Sequence, residues 1–348
     1  MRIRRTLLVV LAVVIVAAAI VTAVQLRKHA PPEAARLLPS ADAFVYADFS
    51  WIRKVNSAPL PPVLRDPEFE QFIQQTGFEF ERDLDSMAIA VHYPAAWPGG
   101  GTGGSAPEPR FSEVFIGKLN GERLATYLKN AAKSVENYNS VEIYTVPMEG
   151  RTFRAAILSA DLVAASNHDD PRVIEGMVDR SRRLASPFGG PAFLRRYYKE
   201  VQLASPIWAV ARIEPSAPHF EEWSTVFPQS ADLVVSASYN PLHLPLRTAG
   251  LHLSAEAWVS NSELARDITG KVSAFLANFR SAESSVGSPA TDADLKTIFD
   301  SIAVRQVDRC AVLSATVPTG IFRKLLQSPS QSTDPQSGPV SVQPVKSR

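Results

Sequence analysis

Residues 86–119 read SMAIAVHYPAAWPGGGTGGSAPEPRFSEVFIGKL, and this stretch decides which class of fold the chain can have. Its first nine and last eight residues have the composition of β-strands. A formal G-x-G-x-x-G begins at Gly99, between the two strands. A dinucleotide-binding loop needs a helix directly after its glycines, whereas Pro107 and Pro109 here precede a second strand. The stretch therefore predicts a hairpin with a long flexible connection and no phosphate site.

The rest of the chain continues this pattern of short strands, hairpin-length links and short helices. From residue 207 to residue 260, IWAVARIE, ADLVVSASYN and LHLSAEAWVS follow one another as strands. Because no steady β-α-β rhythm occurs, we expect an α+β fold of antiparallel sheets with packed helices. A helix over 262–280 is predicted to bury an apolar stripe, made of Leu264, Ile268, Val272, Phe275, Leu276 and Phe279.

Two pairs of similar stretches indicate an internal repeat. DSMAIAVHYP and SEVFIGKLNGERLATYL (85–128) resemble DSIAVRQVDRCAVLSATVPTGIFRKLL (300–326), in which a second helix is predicted to end at Leu326. SADLVAASN and SAEAWVSN are similar in the same way. The two elements occur in opposite orders along the chain, which argues against a simple tandem duplication, so the sequence leaves open whether the body has two related halves.

The composition divides the chain into four parts. An N-terminal segment, 1–29, precedes two α+β stretches that we expect over 30–203 and 204–327. The remaining residues, 328–348, are polar and rich in proline, and this composition predicts disorder.

Residues 6–26, TLLVVLAVVIVAAAIVTAVQL, carry no charged side chain. As a helix they would extend about 32 Å, enough to cross a hydrocarbon core of about 30 Å. A cleaved signal peptide is the alternative, because Val21-Thr22-Ala23 suits a signal peptidase. The apolar region of a signal peptide is about 7–15 residues long, however, so the length favours an uncleaved single-pass transmembrane anchor.

Charge predicts which side of the membrane the body occupies. Three arginines precede the apolar segment, whereas Arg27 and Lys28 follow it, and this bias favours a cytoplasmic N-terminus with an extracytoplasmic body. Without these five basic residues the chain has 31 basic and 35 acidic side chains, a formal charge of −4. A body with that balance does not attract nucleic acid.

The sequence offers several polar groupings, and none has the spacing of a catalytic or metal site. His168, Asp169 and Asp170 are neighbours, which rarely converge on one ion, and Asp170 precedes a proline as a helix cap does. His252 and Glu256 are about 13 Å apart if they lie on one strand. His219 and Glu222 are three residues apart and have no partner motif. This spacing is typical of a solvent-exposed helix face. We therefore predict no metal site, cofactor or catalytic residue.

Cys310 is the single cysteine of the chain, so it cannot form an intrachain disulfide. It lies in the strand-like run RCAVLSATV, and no Cys-His-Asp pattern surrounds it. The sequence therefore favours a small buried side chain over a nucleophile.

One cluster of basic side chains is the most distinctive surface feature of the sequence. Two interpretations are open: a patch that meets anionic lipid headgroups or another acidic surface, and two helix ends whose arginines favour the helix dipole and solubility. The cluster comprises Arg180, Arg182, Arg183, Arg195, Arg196 and Lys199.

The stretches LLPSADAFVYADFSWIRKV, TGFEFERDLDSMAIAV and FIGKLNGERLATYL, within residues 37 to 130, resemble a loose group of bacterial single-pass envelope proteins of unknown function. The resemblance implies a bacterial extracytoplasmic setting and no site residues. With the anchor it leads us to expect a membrane-tethered binding or scaffolding module, whose partner is another envelope protein or a lipid. The alternatives are a carrier of an apolar or lipid-like ligand, and a hydrolase with a non-standard site.

Overall fold

A computed structural model of the chain describes residues 30–55, 65–93, 108–148, 151–182, 189–217, 220, 223–239, 250–286 and 293–318. The predicted anchor (6–26), the glycine-rich connection (94–107) and the predicted C-terminal tail (328–348) lie outside these residues. Within them, no helix has both the length and the apolar character needed to cross a bilayer.

The described residues form nine helices and twelve strands. The helices are α1 (Glu33–Leu37), α2 (Phe49–Val55), α3 (Pro67–Thr76), α4 (Phe80–Asp83), α5 (Gly121–Ala131), α6 (Arg172–Ser181), α7 (Ala192–Tyr198), α8 (Ser262–Val286) and α9 (Ala293–Ser301). The strands are β1 (Ala43–Asp48), β2 (Leu84–His92), β3 (Arg110–Gly117), β4 (Ser134–Tyr138), β5 (Val141–Met148), β6 (Arg151–Ile157), β7 (Leu162–Ser166), β8 (Ile207–Ile213), β9 (Ala231–Tyr239), β10 (Gly250–Trp258), β11 (Ala303–Val307) and β12 (Cys310–Pro318).

All twelve strands belong to one antiparallel sheet, in the order β11-β12-β10-β9-β8-β1-β2-β3-β7-β6-β5-β4. The α+β class with antiparallel pairing is thus confirmed, and β2 and β3 pair directly, as their hairpin pattern predicted. The division that we predicted between residues 203 and 204 separates β1–β7 from β8–β12 along the chain. Since β1 pairs with β8, the sheet is continuous across that division.

Local sequence signals place several of the helices. Asp66 precedes the proline that begins α3, and its carboxylate accepts the N–H of Phe69 at 2.9 Å. Gly77 ends this helix with φ at +75°, a conformation that glycine adopts at little cost. Asn120 begins α5 in the same manner by accepting the N–H of Arg123. These capping residues fix where each helix enters the sheet.

Alternation along each strand divides the sheet into two faces. We call the inner face the one that carries Phe44, Ala88, Val114, Ala164 and Val210, all of which are fully buried. Three helices cover it with apolar side chains, which are Ala34, Ala35 and Leu37 from α1, Ile174, Met177 and Val178 from α6, and Leu194 and Tyr197 from α7. The principal core therefore lies on the inner face.

Parts of four helices, α2, α5, α8 and α9, cover the opposite face, which we call the outer face. Trp51 of α2 and Ile298 of α9 pack on Ala237, Leu251 and Val317, near the end of β12. At one end, Leu124 and Leu128 of α5 pack on Tyr144, Ala155 and Val163. At the other end, α8 packs through its first turns. Between α5 and α8, Val45 of the central strand β1 remains 36% exposed.

The stretches that suggested a repeat occupy corresponding places in the sheet. Counted from one side, β11-β12-β10-β9-β8-β1 is followed by β2-β3-β7-β6-β5-β4. In each series of six the hairpin with the shared Asp-Ser start comes first, and the strand with the shared Ser-Ala start comes third. The chain visits the strands of the two series in different orders, which is why the similar segments are not in tandem.

The inner core makes a direct prediction for stability. Trp208 is 1% exposed and lies between the rings of Tyr46 and Tyr198, with centroid separations of 5.4 and 5.2 Å. We expect Trp208→Ala to lower the free energy of unfolding by about 3–5 kcal/mol, because it removes a buried aromatic side chain and leaves a cavity. Urea denaturation followed by circular dichroism measures the change.

The matched control is Trp223→Ala, since Trp223 is 54% exposed. This variant should unfold within about 1 kcal/mol of the parent protein. Equal losses at the two tryptophans would contradict the position of the core.

Candidate functional site

An apolar cleft of about 930 Å³ lies on the outer face, between α8 and the strands β9, β10 and β12. Its floor includes Leu233, Val235, Ala255 and Leu313. Small-molecule sites typically enclose about 300–1,000 Å³ and are lined mainly by apolar side chains. The cleft therefore has the size and the chemistry of a site for an apolar ligand.

The cleft exists because α8 packs on the sheet along only part of its length. Leu264, Ala265 and Ile268 of its first turns are buried against the sheet. Val272, one turn further on, is half-buried, and Phe275 is 68% exposed. The sequence predicted that the whole apolar stripe of this helix is buried. That prediction is wrong at Phe275.

Part of the cleft floor is made of alanine side chains. Ala255, Ala257 and Ala311 place only methyl groups on the outer face below α8. Ala257 and Ala311 are buried with Leu264 and Ile268 under the first turns of the helix, whereas Ala255, further along the floor, is half-buried. The sequence pattern identified these residues as strand residues but contained no signal that the helix above them would stand off.

The apolar stripe of α8 continues past the buried turns, so the open part of the cleft presents hydrocarbon to solvent. Phe275 and Trp223 are both more than half exposed and both line it. Exposed aromatic side chains at the edge of an apolar hollow are typical of binding sites.

Polar groups are few among the described residues that line the cleft. Thr225, Lys271 and Asn278 are those with polar side chains, and the ammonium group of Lys271 pairs with Asp267 at 2.7 Å. Lys271 lies on the helix beside the apolar lining. A ligand with a hydrocarbon body and an anionic end would match this arrangement.

The predicted basic cluster is divided by the fold between α6 and α7. Arg180 donates from Nε to the carbonyl oxygen of Leu37 at 2.7 Å, and its Nη2 is buried, so this guanidinium belongs partly to the interior. Burial lowers the pKa of Arg180. Arg182 donates to the carbonyl oxygen of Asn139 at 2.8 Å.

The remaining basic side chains of the cluster have more exposed positions. The guanidinium of Arg196 lies 5.3 Å from the ring centroid of Tyr197, and Lys199 pairs with Glu200 at 3.5 Å. Arg195 is exposed on the same helix. Arg183 lies outside the described residues, and the binding of an anionic surface by this cluster stays a prediction.

The grouping of His168, Asp169 and Asp170 has structural roles, and His252 and Glu256 lie four residues apart on β10. The Asp170 carboxylate accepts the N–H of Arg172 at 3.0 Å, which starts α6, and Asp169 pairs with Arg110 at 3.1 Å. His168 accepts the N–H of Asp170 at Nδ1. His219 and Glu222 lie outside the described residues. Across the described part of the chain, no three His, Cys, Asp or Glu side chains are grouped as a metal site requires.

A hydrogen-bonded histidine and two serines form a cluster that the sequence did not reveal. His92 Nε2 lies 3.0 Å from Ser112 Oγ, which lies 2.9 Å from Ser166 Oγ. Ser112 is fully buried, and His92 and Ser166 are 9% and 3% exposed. A serine nucleophile must be reached by substrate, so this cluster stabilises the ends of β2, β3 and β7 and does not support the hydrolase alternative.

Cys310 is 1% exposed, which confirms the interpretation of its sequence context. Burial, with the nearby charges of Glu256 and Glu200, raises the pKa of its thiol to about 12. The thiolate is therefore scarce at neutral pH, and the side chain is chemically inert.

Comparison with known proteins gives little beyond the geometry. No protein-family model and no curated protein matches the chain. Two solved structures, crystal forms III and IV of TP0453, are similar to it with TM-scores of 0.41 and 0.40, each at 10% sequence identity. The alignments cover 83% and 85% of this chain and 95% and 96% of those chains. A likeness of this size carries no statement about function.

His92 generates a prediction about pH. Burial, reinforced by neighbouring His168, lowers its pKa from 6.5 to about 4. The unfolded chain therefore binds a proton here below about pH 6.5, whereas the folded chain binds one only below about pH 4. We expect the free energy of unfolding to fall by up to about 3 kcal/mol as pH decreases from 6.5 to 4, from this residue alone.

The measurement is urea denaturation across this pH range, for the parent protein and for His92→Gln. Glutamine does not titrate, so the variant should lose less stability than the parent between pH 6.5 and 4. Identical pH dependence in the two proteins would show that His92 is not held neutral.

Proposed function

We propose that the protein is a membrane-tethered binding protein that holds an apolar, lipid-like ligand in the cleft between α8 and the sheet. The observation that carries the proposal is the 930 Å³ hollow, whose floor and roof are hydrocarbon and which reaches solvent at Phe275 and Trp223. A ligand that covers this open apolar surface removes it from water, which lowers the free energy.

The chemical class of the ligand follows from the lining. Each methylene group that enters an apolar cleft contributes about 0.8 kcal/mol, so a hydrocarbon chain can bind here without any specific hydrogen bond. Lys271 offers a cation that an anionic headgroup could share with Asp267. An acyl chain with a carboxylate or phosphate head therefore fits better than a sugar or a nucleotide.

The membrane tether is the second part of the proposal. Its support is the uncharged stretch 6–26 with basic flanks, which we propose as a single-pass anchor that leaves the body outside the cytoplasm, in a bacterial envelope. A tether would keep a carrier of membrane-derived ligands close to their source. The exposed basic side chains Arg182, Arg195 and Arg196 would then face anionic headgroups.

The cleft predicts how affinity depends on ligand length. For saturated fatty acids of increasing chain length, we expect Kd to decrease about three- to fourfold with each added methylene until the cleft is full, because each group brings about 0.8 kcal/mol. Isothermal titration of the full chain in a non-competing detergent measures the series. Affinity that is independent of chain length would contradict an apolar site.

Blocking the cleft should abolish this binding. Val235 lies on the cleft floor, and Val235→Trp places an indole there, so we expect Kd to rise at least about tenfold if the ring displaces two methylenes. The control is Val135→Trp on the edge strand β4, where the side chain is 42% exposed and remote from the cleft. Equal effects of the two substitutions, or none at either, would leave scaffolding of another envelope protein as the function to test.

A further inference from the structure

The sheet ends in two strands that each have a neighbour on one side only. Among the described strands, β11 pairs only with β12, and β4 pairs only with β5. The far side of such an edge strand presents a row of backbone N–H and C=O groups, which is a template for another strand. Proteins often protect an edge with proline, with a bulge or with several charged side chains.

The described residues at the two edges lack this protection. β4 reads SVENY and β11 reads AVRQV, so neither strand contains proline, and each carries one charged side chain. Both strands pair with β5 or β12 in a regular register without a bulge. Residues 134–137 are exposed on one edge, as are Ala303, Arg305 and Val307 on the other. A further strand can therefore reach either edge.

The single charges on the two edges have opposite signs. Glu136 is the third of the five residues of β4, and Arg305 is the third of the five residues of β11. Both side chains are exposed, and within the described part of the chain neither forms an ion pair. Each charge thus lies at the middle of its edge and is available to an outside partner.

The register of the sheet places both charges on its inner face. Glu136 lies in the same cross-strand row as Ala164. Arg305 lies in the same row as Val210. Ala164 and Val210 are both inner-face residues, so Glu136 and Arg305 would meet on one face if the two edges were joined.

The strand directions also match. Twelve strands that are all antiparallel to their neighbours leave the first and the last strand of the order, β11 and β4, antiparallel to each other. A second copy placed beside the first in the same orientation therefore brings its β11 antiparallel to β4, with both inner faces on one side. In the register that pairs all five residues, Glu136 faces Arg305. Ser134 faces Val307 in this register.

Charge opposes the pairing of either edge with its own kind. When β4 pairs with β4 of another copy over all five residues, two Glu136 side chains face each other. Pairing of β11 with β11 likewise brings two Arg305 side chains together. Opposite charges directly across a strand pair stabilise it, and like charges destabilise it. The charges therefore favour the pairing of β4 with β11.

We propose that copies of this chain assemble head to tail, with β4 of one copy paired to β11 of the next, so that their sheets become continuous. Different edges meet in this contact, and each added copy leaves the same two edges available, so the assembly is an open row. A contact of five residues on each strand is small, and the length of the row depends on concentration. The assembly does not depend on the proposed ligand.

Disulfide trapping between two differently tagged full-length chains in detergent tests the pairing. We expect Ser134→Cys in one chain and Val307→Cys in the other to give a covalent dimer on mild oxidation, with both edge charges in place. Each variant alone should stay monomeric, because the proposed contact joins unlike edges. Cys310 is buried in every chain.

The matched control is a mixture of Leu203→Cys with Val307→Cys. Leu203 is 60% exposed and precedes β8, in the middle of the strand order, so this mixture should remain unlinked. Absence of the dimer between Ser134→Cys and Val307→Cys overturns the proposal. Equal yields from that mixture and from the control, or from either variant alone, also overturn it.

Charge reversal in the same two cysteine variants tests whether Glu136 faces Arg305. Adding Glu136→Arg to the first chain, or Arg305→Glu to the second, places like charges opposite each other, and we expect dimer formation to slow about tenfold. Mixing the two reversed chains restores opposite charges and should restore the rate to within about twofold. Single reversals without effect, or no recovery in the combination, overturn the proposed contact.

Discussion

β1 pairs with both β8 and β2, and this double pairing holds the whole sheet together. This six-residue strand makes one continuous sheet out of strands that precede and follow the middle of the chain. Its inward side chains, Phe44 and Tyr46, lie at the centre of the principal core. Antiparallel pairing through β1 aligns the two faces over all twelve strands, so every helix must cover one face or the other.

The unequal cover of the two faces explains where a ligand can bind. Three helices close the inner face with large side chains, and its central residues Ala88, Val114 and Val210 are fully buried. The outer face has α5 towards one end and the first turns of α8 towards the other, and Trp51 and Ile298 pack on it near the end of β12. Beyond its first turns α8 does not close its part of the sheet, and the cleft there is lined by Leu233, Val235 and Leu313 as well as by alanine.

Much of the fold could be predicted from local sequence signals, because these reflect local physics. The hairpin β2–β3 followed from two strand patterns without a helix between them. Asp66, Gly77 and Asn120 marked helix ends, because a helix cap depends on hydrogen bonds and backbone geometry within a few residues. The α+β class followed from the same signals. The anchor prediction at 6–26 lies outside the described residues.

The cleft could not be predicted in this way, because it depends on contacts between segments that are distant in sequence. The apolar stripe of α8 predicted burial at Phe275, but burial requires a partner from a distant segment, and Phe275 remains 68% exposed at the cleft. The cluster of His92, Ser112 and Ser166 could not be predicted for the same reason, because only the pairing of β2, β3 and β7 brings these residues together. In the sequence, the similar segments occur in opposite orders. The strand order of the sheet shows that they nevertheless occupy corresponding positions.

If an apolar ligand enters the space beside Trp223, a brominated fatty acid should quench the fluorescence of this tryptophan. Bromine quenches an indole only at contact distance, so the quenched fluorescence reports where the acyl chain lies. We expect saturable quenching in the parent chain and its loss in Trp223→Phe, in which the buried Trp208 remains as an internal reference. Saturable quenching that persists unchanged in Trp223→Phe, or no quenching in either protein, would contradict ligand binding beside Trp223.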